Sequence, residues 1–392
     1  MKIMKKFSKF LSLALASVMT LSLVACGSDS ASTSGSSSDT FKLGGIGPIT
    51  GAAAIYGQNV KNAAQIAVDE INAAGGVNGY KLELNFQDDE HDAEKSVNAY
   101  NVIKDWGAQI LIGSVTSGPC IAVSEKTKAD NMFQLTPSGS AVECVQYDNA
   151  FRVCFSDPGQ GAASAKYIAQ NSLGTKIAVI YDSSTMYSSG IYESFVKGAK
   201  EENIEIVAAE AFTADNATDF TVQLQKAKDA GADLVFLPIY YQEASLILAQ
   251  AKAMNYAPKW FGVDGMDGIL SMENFDISLA EGVMLLTPFA ADAKDDMTVK
   301  FVSTYNEKFN DTPNQFAADA YDAIYIIKAL IEKTGVTPDM STSDICDKLK
   351  AAMTEITVDG LTGQGMVWTA DGEVNKSPRA VVIQNAAYVS MD

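Results

Sequence analysis

The sequence predicts an α/β protein built from two doubly wound parallel-sheet lobes. Three observations carry this. From residue 40 onward, strand-like apolar runs alternate with helix-period segments across short gaps, the pattern of parallel sheets covered on both faces. The alternation runs in two consecutive series, the second starting near residue 160. The 392 residues, 47% apolar and 20% charged, supply two to three cores at about 100–200 residues per domain.

In the first series, residues 41–46 read as a strand, followed by a glycine-rich turn. Residues 58–74 place Val60, Ala63, Ala64, Ala67 and Ile71 on one helical face, and Gly75-Gly76 stop that helix. Then come a strand at 82–87, a helix at 93–106, a short strand at 110–112, a helix at 119–130 and a strand at 132–135. The second series reads as helix 160–172, strand 176–181 (KIAVIY), helix 189–202 and strand 204–209. Helix 218–230, ending at Gly231, strand 234–237, helix 242–254 and strand 259–262 complete it. Helices near 295–309, 314–333 and 342–352 return to one of the lobes.

The N-terminus reads as an address. Lys2, Lys5, Lys6 and Lys9 precede a 15-residue apolar run at 11–25, of signal-peptide length and short for a spanning helix. It closes on Leu23-Val24-Ala25-Cys26-Gly27, which resembles a bacterial lipobox. Such signals are cut before the cysteine, which is then acylated; an ordinary secretory signal is the plainer alternative. Residues 27–40, GSDSASTSGSSSDT, have no apolar residue except Ala31 and cannot bury a core. The expectation is a lipoprotein signal peptide at 1–25, a lipid on Cys26, a flexible tether at 26–40, and a body anchored to the outer face of the cell membrane. No other apolar run reaches ~18 residues, so no other span is expected.

Charge and composition exclude several chemistries. Lys and Arg total 29 against 48 Asp and Glu, a net −19. Cleavage before Cys26 removes four lysines and no acid, taking −19 to −23. Neither nucleic acid nor an anionic membrane surface is an expected partner, since both call for a basic face. His91 is the single histidine, which excludes multi-His metal sites and leaves a Ser-His-Asp scheme one candidate. Asp88, Asp89, Glu90, His91 and Asp92 lack calcium-loop spacing and its glycine, so a solvated strand-end loop is expected there. Cys120, Cys144, Cys154 and Cys346 form no CxxC pair; a Cys144–Cys154 disulfide and buried free thiols both stay open.

Ligands of open parallel sheets bind at the carboxyl ends of the strands. The first such loop, Gly45-Ile46-Gly47-Pro48-Ile49-Thr50-Gly51, misses the dinucleotide fingerprint by one position, and no cofactor is expected. Gly113-Ser114-Val115-Thr116-Ser117 and Thr136-Pro137-Ser138-Gly139-Ser140 are small-hydroxyl loops opening helices. They read either as N-caps or as a shared carboxylate site of amides and hydroxyls. Asp264, between Val263 and Gly265 at a strand end, reads as a turn aspartate or as an ammonium partner.

The order of these loops is similar to that of the branched-chain amino-acid-binding (Leu/Ile/Val-binding) family of type I periplasmic solute-binding proteins of ABC importers. Its markers are Gly47-Pro48, Gly51, Tyr56-Gly57, Gly75-Gly76-Val77-Asn78-Gly79, Ile112-Gly113, Ser117, Thr136-Pro137-Ser138, Phe151-Arg152, Asp157, Gln160-Gly161 and Asp359-Gly360-Leu361-Thr362-Gly363. The resemblance covers nearly all of 41–370. It implies a multi-strand hinge, with 41–157 plus 288–360 as lobe 1 and 158–287 plus 361–392 as lobe 2. It implies no enzymatic activity, a monomer, and delivery of an amino acid to ABC permease subunits. Residue by residue, Ser117 would hold the ligand carboxylate. The Ser138 carbonyl would accept from the ammonium, and the Ser140 amide and hydroxyl would grip both ends. Asp264 would neutralise the ammonium, and Tyr56, Tyr187 and Tyr240 would wall the pocket. A disulfide that some members carry falls on His91 and Thr116 and is absent. An amide, urea or aromatic acid as ligand, or a ligand-sensing module, are the alternatives.

Overall fold

The computed structural model describes residues 39–391; the expected signal, Cys26 and nearly all of the tether lie outside them. The first sheet contains β1 (Thr40–Gly47), β2 (Lys81–Asp88), β3 (Ile110–Ile112), β4 (Phe133–Thr136) and β5 (Ala150–Arg152). All are parallel, in the order β2-β1-β3-β4-β5. Between them run α1 (Ala54–Ala73), α2 (Ala93–Trp106) and α3 (Ser117–Asp130). Local chemistry sets the ends. Asp92 caps α2 by accepting from Lys95 N at 2.8 Å, and Gly107 ends it with φ 93°. Gly57, inside α1, is demanded by packing: a Cβ there would lie 1.9 Å from the Pro48 carbonyl oxygen.

The second series begins with α4 (Asp157–Gln170), β6 (Lys176–Asp182), α5 (Met186–Glu201), β7 (Glu205–Phe212) and α6 (Thr221–Asp229). It continues through β8 (Leu234–Leu237), α7 (Tyr241–Ala253), β9 (Lys259–Gly262) and β10 (Met284–Thr287). The expected helix at 160–172 thus starts earlier, because Ser156 caps it and Pro158 fits its first turn. α8 (Asp296–Phe309), α9 (Gln315–Thr334) and α10 (Thr342–Met353) return to the first lobe, where α9 and α8 pack on α1 and α10 on β4. Both α1 and α9 carry buried alanines, Ala63, Ala64 and Ala67 on one and Ala317 and Ala320 on the other, within the same core.

The second sheet is not wholly parallel, contrary to the sequence reading. β11 (Arg379–Gln384) and β12 (Ala387–Ser390) add two antiparallel strands, giving β12-β11-β10-β9-β8-β6-β7. The two-residue turn Asn385-Ala386 has φ 52° and 59°, the backbone of a tight hairpin that returns the chain beside itself. The last crossing also falls later than expected. After residue 360 the chain stays beside β5, where Trp368 Nε1 donates to the Arg152 carbonyl and Arg152 N to Gly372 O. It joins the second sheet only at Arg379. Within this stretch Lys376 donates to Asp319 at 2.8 Å, both side chains 0–1% exposed. Asp322 takes the Leu361 and Thr362 amides at 2.8 and 2.9 Å. A Cβ on Gly360 would stand 2.6 Å from that carboxylate, which explains the glycine in the Asp359–Gly363 marker.

Candidate functional site

Each sheet reverses strand order at its second position from one edge, β1 beside β3 and β6 beside β8. Loops after those strands diverge and leave a crevice at their carboxyl ends. The crevice walls are Tyr56, Val115, Thr116, Ser138, Ser140 and Phe316 from the first lobe and Tyr187, Tyr240, Asp264 and Gly265 from the second. Six of the seven expected pocket residues therefore line one space. Ser117 stands just behind it. Its Oγ accepts from Ser140 N at 3.3 Å and Ala141 N at 3.1 Å, so the Ser140 amide, expected to grip ligand, turns to Ser117 instead. Two amides on one oxygen leave the Ser117 hydroxyl proton as the group to offer outward.

The two hydroxyl loops are laced together. Ser138 Oγ donates to Val115 O at 2.6 Å, and Thr136 Oγ1 to Ser114 O at 2.7 Å. Beneath them Arg152, fully buried, donates to the carbonyls of Gly139 (3.2 Å), Ser140 and Ala141 (2.9 Å). This guanidinium fixes the loop that carries Ser138 and Ser140.

On the facing lobe, Asp264 opens a short 3-10 turn after β9 and is 3% exposed. Its Oδ1 accepts from the Tyr187 phenol at 2.5 Å, while that phenol oxygen takes Gly265 N at 3.0 Å. Burial pushes the Asp264 carboxyl up to about 6, and it makes no ion pair among the described residues. Contacts already span the lobes. The Tyr56 phenol donates to Gly265 O, Gln315 N donates to Asp267 Oδ2 at 2.8 Å and Gln315 Nε2 to Asp264 O at 2.9 Å. The cleft is closed, and the cavity between its walls is about 10 Å³. Ring packing fills the rest: Tyr187 stacks on Tyr240 at 4.6 Å, and Tyr56 meets Phe316 at 4.3 Å. Beyond Tyr187 and Tyr240 a chamber of about 200 Å³ opens against Ala52, Phe212, Ile239, His91, Asp182 and Glu243.

Several residues escaped the sequence reading. His91 does not project from a solvated loop as expected. Its Nδ1 lies 2.8 Å from Thr116 Oγ1 and its ring meets Tyr240 edge-on at 5.5 Å; burial lowers its pKa. The acidic run around it is structural, with Asp88 taking Ile49 N and Thr50 Oγ1 and Asp92 capping α2. Phe316 gave no signal, since an aromatic early in a long apolar helix reads as core. Asp157 was only a family marker. It is 1% exposed, with both oxygens unbonded, and the Ser140 hydroxyl beside it stands outside bonding geometry; burial raises its pKa well above the carboxyl range. Serine before aspartate at a helix start signals a cap, and Ser156 fills that role, leaving Asp157 free. The four cysteines beyond Cys26 are buried free thiols.

A model of the family described as "Periplasmic binding protein" matches residues 40–387. The chain is 31% identical over 299 residues to the Leu/Ile/Val-binding protein homolog 3 of Brucella melitensis, covering 76% of this chain and 80% of that one. It is 30% identical over 299 residues to the leucine-, isoleucine-, valine-, threonine-, and alanine-binding protein of Pseudomonas aeruginosa, covering 76% and 79%. Among solved structures, the branched-chain amino acid transporter substrate binding protein LivJ of Streptococcus pneumoniae, in complex with isoleucine, superposes with a TM-score of 0.80. That match has 27% identity over 90% of this chain and 99% of the other. A benzoate-bound solute binding protein of R. palustris, 19% identical over 90% and 95% of the two chains, shares the fold at a TM-score of 0.79. With two lobes, a crevice at the strand ends and these relatives, the chain belongs to the periplasmic binding protein family, whose members bind transporter substrates and are not enzymes.

Proposed function

We propose that this protein is the extracytoplasmic binding component of an ABC importer, capturing a branched-chain or other hydrophobic amino acid by lobe closure. The observation that carries the reading is Asp264, a dry carboxylate with a phenol but no cation beside it. An ammonium group is its natural counter-charge. A zwitterion also needs donors for its carboxylate, and the hydroxyls of Ser117 and Ser140 stand on the opposite lobe. Tyr56, Tyr187, Tyr240 and Phe316 offer ring faces to a modest apolar side chain. A cavity of about 10 Å³ cannot admit a whole amino acid, so the lobes must part and the rings turn. A ligand touching both lobes then favours the closed form by contacts it makes only there. An amide, urea or aromatic acid would leave Asp264 without its partner, as would the ligand of a sensor lacking an ammonium. Cys26 anchors the protein by lipid to the outer face of the membrane, and it works as a monomer beside its permease.

Titration calorimetry against the amino acids, urea and benzoate tests this. Leucine, isoleucine or valine should bind one to one. Binding of benzoate or urea, with no amino acid bound, overturns the reading.

A further inference from the structure

Residues 264–268 and 314–316 form a partition with two faces. Asp264, Gly265 and Phe316 face the crevice. Asp267, Gly268 and Asn314 face a second cavity of about 380 Å³. Both lobes build it, with Tyr388 of β12 and Val302 of α8 in its lining.

Two polar side chains in its wall are more than nine-tenths buried and half-satisfied. Asp267, 4% exposed, takes Gln315 N on Oδ2 at 2.8 Å and leaves Oδ1 unbonded. Asn314, 7% exposed, caps α9 with its oxygen, accepting Ala317 N at 3.1 Å, and leaves Nδ2 unbonded. The Tyr388 phenol, which takes Gly268 N at 3.1 Å, stands beside Asp267 but outside bonding geometry, leaving Oδ1 without a full partner. The free nitrogen of Asn314 lies 3.8 Å from where a Gly268 Cβ would stand, on the cavity wall. A buried acceptor and a buried donor that do not bond each other call for a molecule between them. The remaining charge specifies its sign: Asp292 and Asp311 lie at the exposed rim, and no Lys, Arg or His lines the cavity. No group of acids among the described residues converges enough to hold a metal ion.

We infer that this cavity is a second ligand site, for a small organic cation whose ammonium meets Asp267 and whose neighbouring oxygen takes the Asn314 amide. Leu270, Val302 and Pro313 cover its carbon skeleton. Burial, which raises Asp267 to about 7, is offset when such a cation pairs with it. Gln315 links the two sites, since its amide holds Asp267 and its side chain holds the Asp264 carbonyl only while the lobes are together. An occupant therefore favours the closed form and tightens amino-acid binding, and the coupling is reciprocal.

Ethanolamine is the probe, with glycerol as an uncharged control, in calorimetry and thermal melting of the full chain at pH 8. Ethanolamine should bind one to one, raise the melting point, and tighten leucine binding several-fold. Asp267→Asn keeps an oxygen for Gln315 N, and Asn314→Ser keeps a helix cap. Each should weaken ethanolamine about tenfold or more. No ethanolamine binding, glycerol binding as well as ethanolamine, or undiminished binding to both variants overturns the site. Ethanolamine binding to a protein that ignores leucine supports the site and counts against the amino-acid reading instead.

Discussion

The Tyr187 phenol donates to Asp264 Oδ1 at 2.5 Å while accepting the Gly265 amide at 3.0 Å. One hydroxyl thus orients the carboxylate and pins the turn that carries it. The second oxygen of Asp264 accepts no hydrogen bond in bonding geometry among the described residues. Burial holds this carboxyl near 6, so its charge is at hand at neutral pH and lost in mild acid.

Asp264→Asn should therefore cost about 3–5 kcal/mol of amino-acid affinity, more than a hundredfold. In the natural protein, affinity should be full near pH 8 and fall as pH drops through about 6. Calorimetry from pH 8 to 5 measures both. A flat profile, or a variant of unchanged affinity, removes Asp264 from the clamp.

Tyr56→Phe deletes the phenol that donates to Gly265 O and accepts Tyr241 N at 3.3 Å. Two buried groups of the second lobe lose their partner, about 1–3 kcal/mol against the closed form. X-ray scattering of the ligand-free variant should give a larger radius of gyration than the natural protein, with saturating leucine restoring it. Equal radii in all states would show that this bond does not govern closure.

Arg152→Ala should unfold the Gly139–Val142 region, because three carbonyls lose the cation that gathers them. A cost of about 3–5 kcal/mol in stability and a large loss of ligand affinity are expected together. Urea denaturation and calorimetry on the same sample report each. Loss of stability with affinity intact would mean that the loop holds its shape by hydroxyl lacing alone.

Asp89, Asp264 and Asp319 sit near 6 and Asp267 near 7, each raised first by burial. The folded chain holds protons that the unfolded chain, near 3.9, has released. Their contribution to stability is complete below about pH 4 and lost as pH rises through 6 to 7. Depressed acids such as Asp69 and Asp88 act in the opposite sense, but only in stronger acid. The ligand-free urea midpoint should be higher at pH 5.5 than at pH 8; a lower midpoint contradicts this balance.

Cys26→Ser should release the protein from membranes into the soluble fraction of cells. A variant that still sediments with membranes would exclude the lipid at Cys26 as the anchor.

Much of this was legible in the chain. Alternation of strand and helix announced the two sheets, because a strand buried on both faces must be apolar and a crossover helix must be amphipathic. The strand-end rule then led to the loops carrying Ser138, Ser140 and Asp264, and the family resemblance added the three tyrosines. What stayed hidden depends on contacts far apart in sequence. His91 is brought to Thr116 only when β1, β2 and β3 align. Phe316 reaches the pocket because α9 crosses back over α1. The two antiparallel strands at the second sheet's edge were missed because the turn that joins them, Asn385-Ala386, has no glycine to mark a hairpin.

The sequence by itself determined the fold class, the loops that form the crevice, and the chemistry on offer there: hydroxyls on one lobe, an acid on the other, and tyrosines on both. Tertiary structure alone decided which of these groups keep a free hand. The Ser140 amide is taken by Ser117, whereas Asp264, Asp157 and, in the second cavity, Asp267 keep an unspent oxygen. That division follows from burial: once water is excluded, every donor and acceptor must find a partner in the fold or wait for a ligand.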